Sequence, residues 1–216
     1  MLLHPVRVLA AIRSAAVLGI EALGVTVEVD AAAGLPGWTM VGLPSGSVKE
    51  ARERVGAALV NAGFVLPPRR WTVNLSPADV RKDGTAFDLP IAIGVLVASG
   101  QLDATAAQGL LFAGELGLDG TIRPIRGALP LARATRETAA RALVLPSANA
   151  AEASLLRGVQ LAPCDTLAAL VAALRSGVLP TMPPVRPAVD FAGATDFADV
   201  VGQPVGKRAL EIAAAG

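Results

Sequence analysis

At 216 residues the chain is long enough for one sizeable core and part of another, and 53% hydrophobic against 17% charged residues excludes a disordered polyelectrolyte. A net charge of +1, from 19 basic and 18 acidic residues, excludes nucleic-acid binding through bulk charge alone, so any such role needs a local patch or an assembly. The single cysteine, Cys164, excludes an internal disulfide and a cysteine-built metal cluster, in keeping with a reducing, cytoplasmic compartment.

The first twenty residues, MLLHPVRVLAAIRSAAVLGI, loosely imitate a secretory signal, but Arg7 and Arg13 interrupt the apolar region and the pattern runs on into strands. His4, the lone histidine, is expected at the surface because it has no partner for catalysis or metal binding. A mean hydropathy of +0.54 invites a membrane reading, yet the longest apolar run, Leu89 to Ala98, is about half of the ~20 residues a span requires. It reads as a buried helix, and no membrane partner is expected.

From Ala16 to Pro44 the text predicts a β-meander. Val25, Val27 and Val29 alternate with Thr26, Glu28 and Asp30, and Gly34, Gly37 and Gly42 punctuate a short strand over Trp38 to Val41. Ser47 and Glu50 have capping-box spacing, which predicts a helix that buries Val48, Ala51, Val55, Leu59 and Ala62 and stops at Gly63. Lys49, Glu50, Arg52, Glu53 and Arg54 then fall on a solvated face. Trp71, Val73 and Leu75 alternate as a further strand, and a loop leads to the apolar helix.

That helix opens at KDGTAFD, Lys82 to Asp88. Either Thr85 caps it, with Asp88 three residues on, or Asp88 caps it and Pro90 sits comfortably in the first turn. Both alternatives put a carboxylate near the positive end of the helix dipole. Beyond it, Leu110 to Leu118 and Thr121 to Ile125 flank the hairpin signal Asp119-Gly120. A helix near Ala128 to Ala140, a strand over Ala142 to Leu145, and short units at Val159 to Leu161 and Thr166 to Leu174 complete a domain of residues 1–176. Pro180, Pro183, Pro184 and Pro187 mark a linker over 177–196. Residues 197–216 read as the start of a second unit, helical over Lys207 to Ala214, whose AAAG ending is expected to be a break in a longer protein.

As a reactive site KDGTAFD is poor. Thr85 is the available hydroxyl, but it has no adjacent histidine, and Lys82, three residues before it, is expected in an exposed loop. Arg69, Arg70, Arg81 and Lys82 flank the Trp71 strand, either as a phosphate-binding rim or as scattered solvated charges.

KDGTAFDLPIA resembles the nucleophile segment of the Lon protease domain, and GELGLDGTIRPIRGALPLA looks like the later segment that carries its catalytic lysine. The resemblance lays the Ser position on Ala86 and the Lys position on Leu129. Both halves of the dyad are thus missing, and no lysine occurs between Asp83 and Lys207, so a small shift of alignment restores nothing.

A longer resemblance, from about Arg13 to Gly216, is to the ComM/YifB family of magnesium-chelatase-like AAA+ ATPases. It rests on VGLP with VKEARERV, NAGF, NLSPADVRKDGTAFDLPIA, FAGEL, GTIRPIRG and DFADVVGQ. The resemblance implies an α/β (α+β) Lon-protease-like domain of the ribosomal-protein-S5-domain-2-like type, a mixed sheet with covering helices and a degenerate catalytic site, followed by a truncated AAA+ entrance. It also implies a full-length hexameric ring that uses ATP and Mg and acts as a branch-migrating helicase on single-stranded or branched DNA in natural transformation.

GQPVGKR, Gly202 to Arg208, is not a phosphate loop, because three residues rather than four separate its glycines and Arg208 stands where a Ser or Thr would hold Mg. It resembles the Val-Gly-Gln element ahead of that loop, which implies adenine contact by Val200, Val201 and Gly202 in the complete protein only. This chain alone is expected to bind no cofactor and no metal, to hydrolyse no ATP and to cleave no peptide. The competing readings are a peptide-binding or protein-interaction domain of a chelatase-like remodelling ATPase and, third, a chelatase subunit proper.

Overall fold

In the computed structural model, residues 9–181 and 197–215 are described. The chain divides into two compact units, Met1–Val185 and Arg186–Gly216.

Alternation of buried and less buried side chains, regular over 25–32 and 70–76 and broken at 14–16, runs through the first four strands of the first unit's sheet. β1 (Ala10–Leu18) and β2 (Glu21–Ala32) form an antiparallel hairpin in which Ile12 pairs Val27 and Ala10 pairs Val29. β4 (Arg70–Ser76) lies antiparallel to β2, burying Trp71, Val73 and Leu75, and β3 (Gly37–Val41) runs parallel to β4 at the sheet edge. The expected meander is therefore wrong: β4 comes between β2 and β3. A helix with a buried face must cover a sheet, and a parallel pair needs such a crossover. α2 (Ala51–Asn61), with Val55, Ala58 and Leu59 buried, supplies it between β3 and β4.

On the other side of β1 come β5 (Leu110–Phe112), β8 (Ala142–Pro146) and β9 (Leu161–Cys164), all parallel to their neighbours, so the seven-stranded sheet is mixed, in the order β3-β4-β2-β1-β5-β8-β9. α3 (Asp88–Ala98) is buried along all of its length and packs on β1, β2 and α2. α5 (Ala128–Glu137) covers the opposite face with Leu131 and Ala132, over a second apolar cluster containing Ala15, Leu111, Leu143 and Leu145. α7 (Leu167–Ser176) starts at Thr166, whose hydroxyl accepts from the Ala169 amide, and ends at Gly177 with φ +72°.

Two local expectations fail for identifiable reasons. The Ser47–Glu50 capping box does not form: α1 (Gly46–Lys49) precedes α2 as a separate turn, and neither helix has a side-chain cap. The Ser47 hydroxyl donates instead to the Asp83 carboxylate at 3.2 Å. The long strand expected up to Leu118 stops at Phe112, because Gly114 donates to the Ala86 carbonyl and its own carbonyl accepts from Leu89 N–H, drawing the chain over the start of α3. The Asp119-Gly120 hairpin survives as β6 (Glu115–Leu116) against β7 (Ile122–Arg123), with Asp119 accepting from Thr121 N–H and hydroxyl.

The second unit holds a short 3-10 turn, Phe197–Asp199, and α8 (Pro204–Ala215), a helix with no buried residue. Among the described residues no helix is long and apolar enough to cross a membrane.

Candidate functional site

The start of α3 is held by charge as well as by packing. Asp88 is the helix's first residue, and neither Thr85 nor Asp88 caps it through a side chain; Phe87 occupies the capping position. The buried Asp88 carboxylate accepts two bonds from Arg54, Nε at 2.7 Å and Nη2 at 2.9 Å, and a third from the Leu116 amide at 3.2 Å. Burial raises the Asp88 pKa, while Arg54 and the Leu116 amide oppose that shift. Arg54 Nη2 also donates to the Ser47 carbonyl, which ties α1, α2, α3 and β6 to one guanidinium. Arg54 is therefore not part of the solvated face expected for its helix.

Over this frame lies a cleft of about 620 Å³. It is lined by Ala15 and Val17 of β1, the loop 83–87, Glu115, and the segment 124–126. Two of its polar groups engage each other, the Thr85 hydroxyl donating to Glu115, and Arg123 lies 4.0 Å from the same carboxylate. Bonds from the Ser45 hydroxyl, the Gly84 amide and the Ser47 hydroxyl hold Asp83 below the usual carboxylate range. The outer wall is clamped by buried Asn149, which accepts from Ile125 N–H at 2.9 Å and donates to the Ile125 carbonyl at 2.8 Å.

Ala86 lines this cleft, with a methyl group where a nucleophile would need a hydroxyl. Leu129 does not. It sits in the first turn of α5, lines a separate cavity with Ile20 and Leu156, and its amide donates to Glu152. The cleft lining includes neither a histidine nor a lysine, and the base beside Thr85 is the Glu115 carboxylate that accepts from its hydroxyl.

Lys82 requires a correction. It is fully buried rather than in an exposed loop: its ammonium donates to the Pro77 carbonyl, its N–H bonds Leu43, and its carbonyl accepts from Ser45. Burial lowers its pKa, with Asp79 opposing. Lys82 thus closes its own loop and offers no charge to a surface rim. Arg69, Arg70 and Arg81 are exposed, but the first two lie at the start of β4 and Arg81 beyond its end, roughly 20 Å of strand apart. The four residues do not make one patch.

Val200, Val201 and Gly202 lie in the second unit ahead of α8, Val201 95% exposed and Gly202 at φ +72°. Arg208 pairs within that helix with Glu211 at 3.1 Å. Among the described residues no group of three His, Cys, Asp or Glu side chains is placed to hold a metal ion.

Sequence reasoning missed Arg54, Glu115 and Asn149 as parts of this site. A signal existed for one partner: Asp88 heads an otherwise apolar run, and a carboxylate entering a core requires a cation.

Fold and cleft together define a mixed α/β domain with an alanine-lined cleft at the start of its most buried helix. The family model for subunit ChlI of Mg-chelatase matches residues 27–149. Competence protein ComM of Haemophilus influenzae is 45% identical over 213 residues, covering 96% of this chain and 42% of that protein. The uncharacterized protein YifB of Escherichia coli is 42% identical over 208 residues, covering 96% of this chain and 41% of that protein. The chain belongs to the Mg-chelatase-like ComM/YifB family, and it spans about two fifths of the length of these relatives.

Proposed function

We propose that the chain is the accessory and assembly domain of a ComM-like AAA+ ATPase that acts on DNA. The observation that carries this reading is the 45% identity to a competence protein over 96% of the chain. In this reading the first unit is a Lon-protease-like domain of the ribosomal-protein-S5-domain-2-like type whose reactive positions, Ala86 and Leu129, are empty. The full-length protein forms a cytoplasmic ring and drives branch migration on single-stranded or branched DNA.

ATP and Mg belong to the remainder of the full-length protein. Val200, Val201 and Gly202 would contact the adenine there, for which an exposed valine beside a left-handed glycine is suited to a flat base. This chain does not fit the phosphates, since Arg208 replaces the Mg-binding hydroxyl and its guanidinium is engaged by Glu211.

The test is ATP hydrolysis by the full-length protein with and without single-stranded and branched DNA. Strong stimulation by DNA is expected. Activity indifferent to DNA would overturn the reading in favour of a protein-remodelling ATPase, for which the 620 Å³ cleft beside Ala86 is the polypeptide site. In the same protein, Ala86→Ser with Leu129→Lys is expected to give no peptide cleavage, because the two positions line different cavities.

A further inference from the structure

The two outer edges of the sheet differ. At one, the Gln160 carbonyl accepts from Leu143 of β8, so by alternation the backbone of Pro163 in β9 faces outward and offers no N–H to an incoming strand. At the other, β3 has no such guard. Gly37 N–H donates to the Arg69 carbonyl, which turns the backbone of Gly37, Thr39 and Val41 toward β4 and leaves the N–H and C=O of Trp38 and Met40 pointing outward. Among the described residues those four groups have no backbone partner. Gly37–Val41 contains neither proline nor charge. Its side chains Trp38 and Met40 anchor it on the core, Trp38 stacked on Trp71 with ring centroids 5.9 Å apart. Leu35, Val41 and Leu43 are exposed along the same edge, Leu43 at a left-handed φ of +54°. Arginines stand at both ends: Arg69 and Arg70 beside Gly37, and Arg81 next to Lys82, whose N–H bonds the Leu43 carbonyl. All three are exposed, and none is in an ion pair among the described residues.

We propose that β3 takes up an extended polypeptide segment of a partner protein as an added strand, apolar at its centre and acidic toward both ends. The backbone selects this class of partner. Outward N–H and C=O groups repeating at strand spacing are matched by the donors and acceptors of another extended chain, and exposed apolar side chains beside them receive its alternate residues. Charge selects the ends. The arginines bracket roughly 20 Å of strand, six residue steps, and carboxylates at that separation would meet both groups while the centre pairs with Trp38 and Met40. A nucleic acid would neutralise the arginines but has no complement for the backbone between them. The inference goes beyond the DNA-motor reading and does not depend on it.

The test is fluorescence anisotropy of the 216-residue chain with a labelled probe peptide, Asp-Val-Thr-Val-Thr-Val-Asp, capped at both ends. Saturable binding is expected, with amide exchange at Trp38 and Met40 slowed by about tenfold or more in the complex. N-methylation of the valines blocks one edge of the probe and N-methylation of the threonines the other, so one pattern should abolish binding and the other spare it. The triple variant Arg69→Glu, Arg70→Glu, Arg81→Glu should weaken binding by about tenfold or more without moving the thermal midpoint, and should bind instead a probe with lysine at both ends. No saturable binding, methylation patterns of equal effect, or indifference to the charge reversal would each overturn the added strand. So would a single-stranded oligonucleotide that binds through these arginines where the peptide does not, or a second copy that occupies β3 and excludes the peptide. None of these outcomes alters the DNA-stimulation result, which is read on the full-length protein.

Discussion

Arg54 and Asp88, thirty-four residues apart, meet through two parallel N–H···O bonds of 2.7 and 2.9 Å, with the carboxylate side chain 1% exposed and the guanidinium 20%. Removing one partner leaves the other charge stranded, which costs more than the pair itself contributes. Arg54→Met is expected to destabilise the chain by about 3 kcal/mol in urea unfolding, and Asp88→Leu added to it should recover most of that loss. A double variant no better than the single one would show that the pair does more than neutralise a buried carboxylate.

Asn149 makes a different prediction, because its partners are backbone groups. Asn149→Ala leaves the Ile125 N–H and C=O without the bonds of 2.9 and 2.8 Å that hold the cleft wall, a loss of about 2 kcal/mol. Amide exchange at Ile125 should accelerate by about tenfold or more, while Leu143, bonded to the Gln160 carbonyl, should change only with global stability. Equal acceleration at both amides would mean that the wall has no stability of its own.

These two contacts mark where sequence stops being legible. Val25, Val27 and Val29 announce β2 through a period that depends on neighbours in the chain, and Thr166 and Gly177 bound α7 by local chemistry. The place of β4 between β2 and β3 depends instead on which face of α2 must be covered, a tertiary question. Lys82 reads as exposed because lysines usually are. It is buried because one loop carbonyl, that of Pro77, lies within reach of its ammonium. In the cleft, Ala86 was located by a short motif, whereas Glu115, Arg54 and Asn149 come from other elements and share no spacing with it.

Two helix glycines should respond to the same substitution with opposite sign. At Gly56 in α2 a Cβ would meet Leu66 Cδ2 at 3.6 Å, an ordinary contact, so Gly56→Ala should stabilise by about 0.5–1 kcal/mol through helix propensity. At Gly94 in α3 the added Cβ would lie 2.5 Å from Val29 Cγ2, within the face that packs on the sheet. Gly94→Ala should therefore destabilise by about 1–3 kcal/mol despite the same propensity gain, and Val29→Ala should partly relieve it. Thermal melts of the three variants decide the matter; a stabilising Gly94→Ala would show that α3 can move off β2.

Cys164 gives the pH-dependent prediction. Burial first, and then Asp165, raise its thiol from 9.0 to about 11. A shift of about two units lowers the thiolate fraction near neutral pH by about a hundredfold, so a disulfide reagent should label the native chain at least that much more slowly than the chain in denaturant. The sign of the stability effect follows from the same shift. Below about pH 9 the thiol is protonated in both states and its contribution is fully present. Between about pH 9 and pH 11 the unfolded chain ionises first, so stability falls as pH rises through that window. Urea titrations across it should show the decline in the parent chain and a shallower one in Cys164→Ala. Native labelling as fast as in denaturant would place the thiol in solvent and remove the reason for the slope.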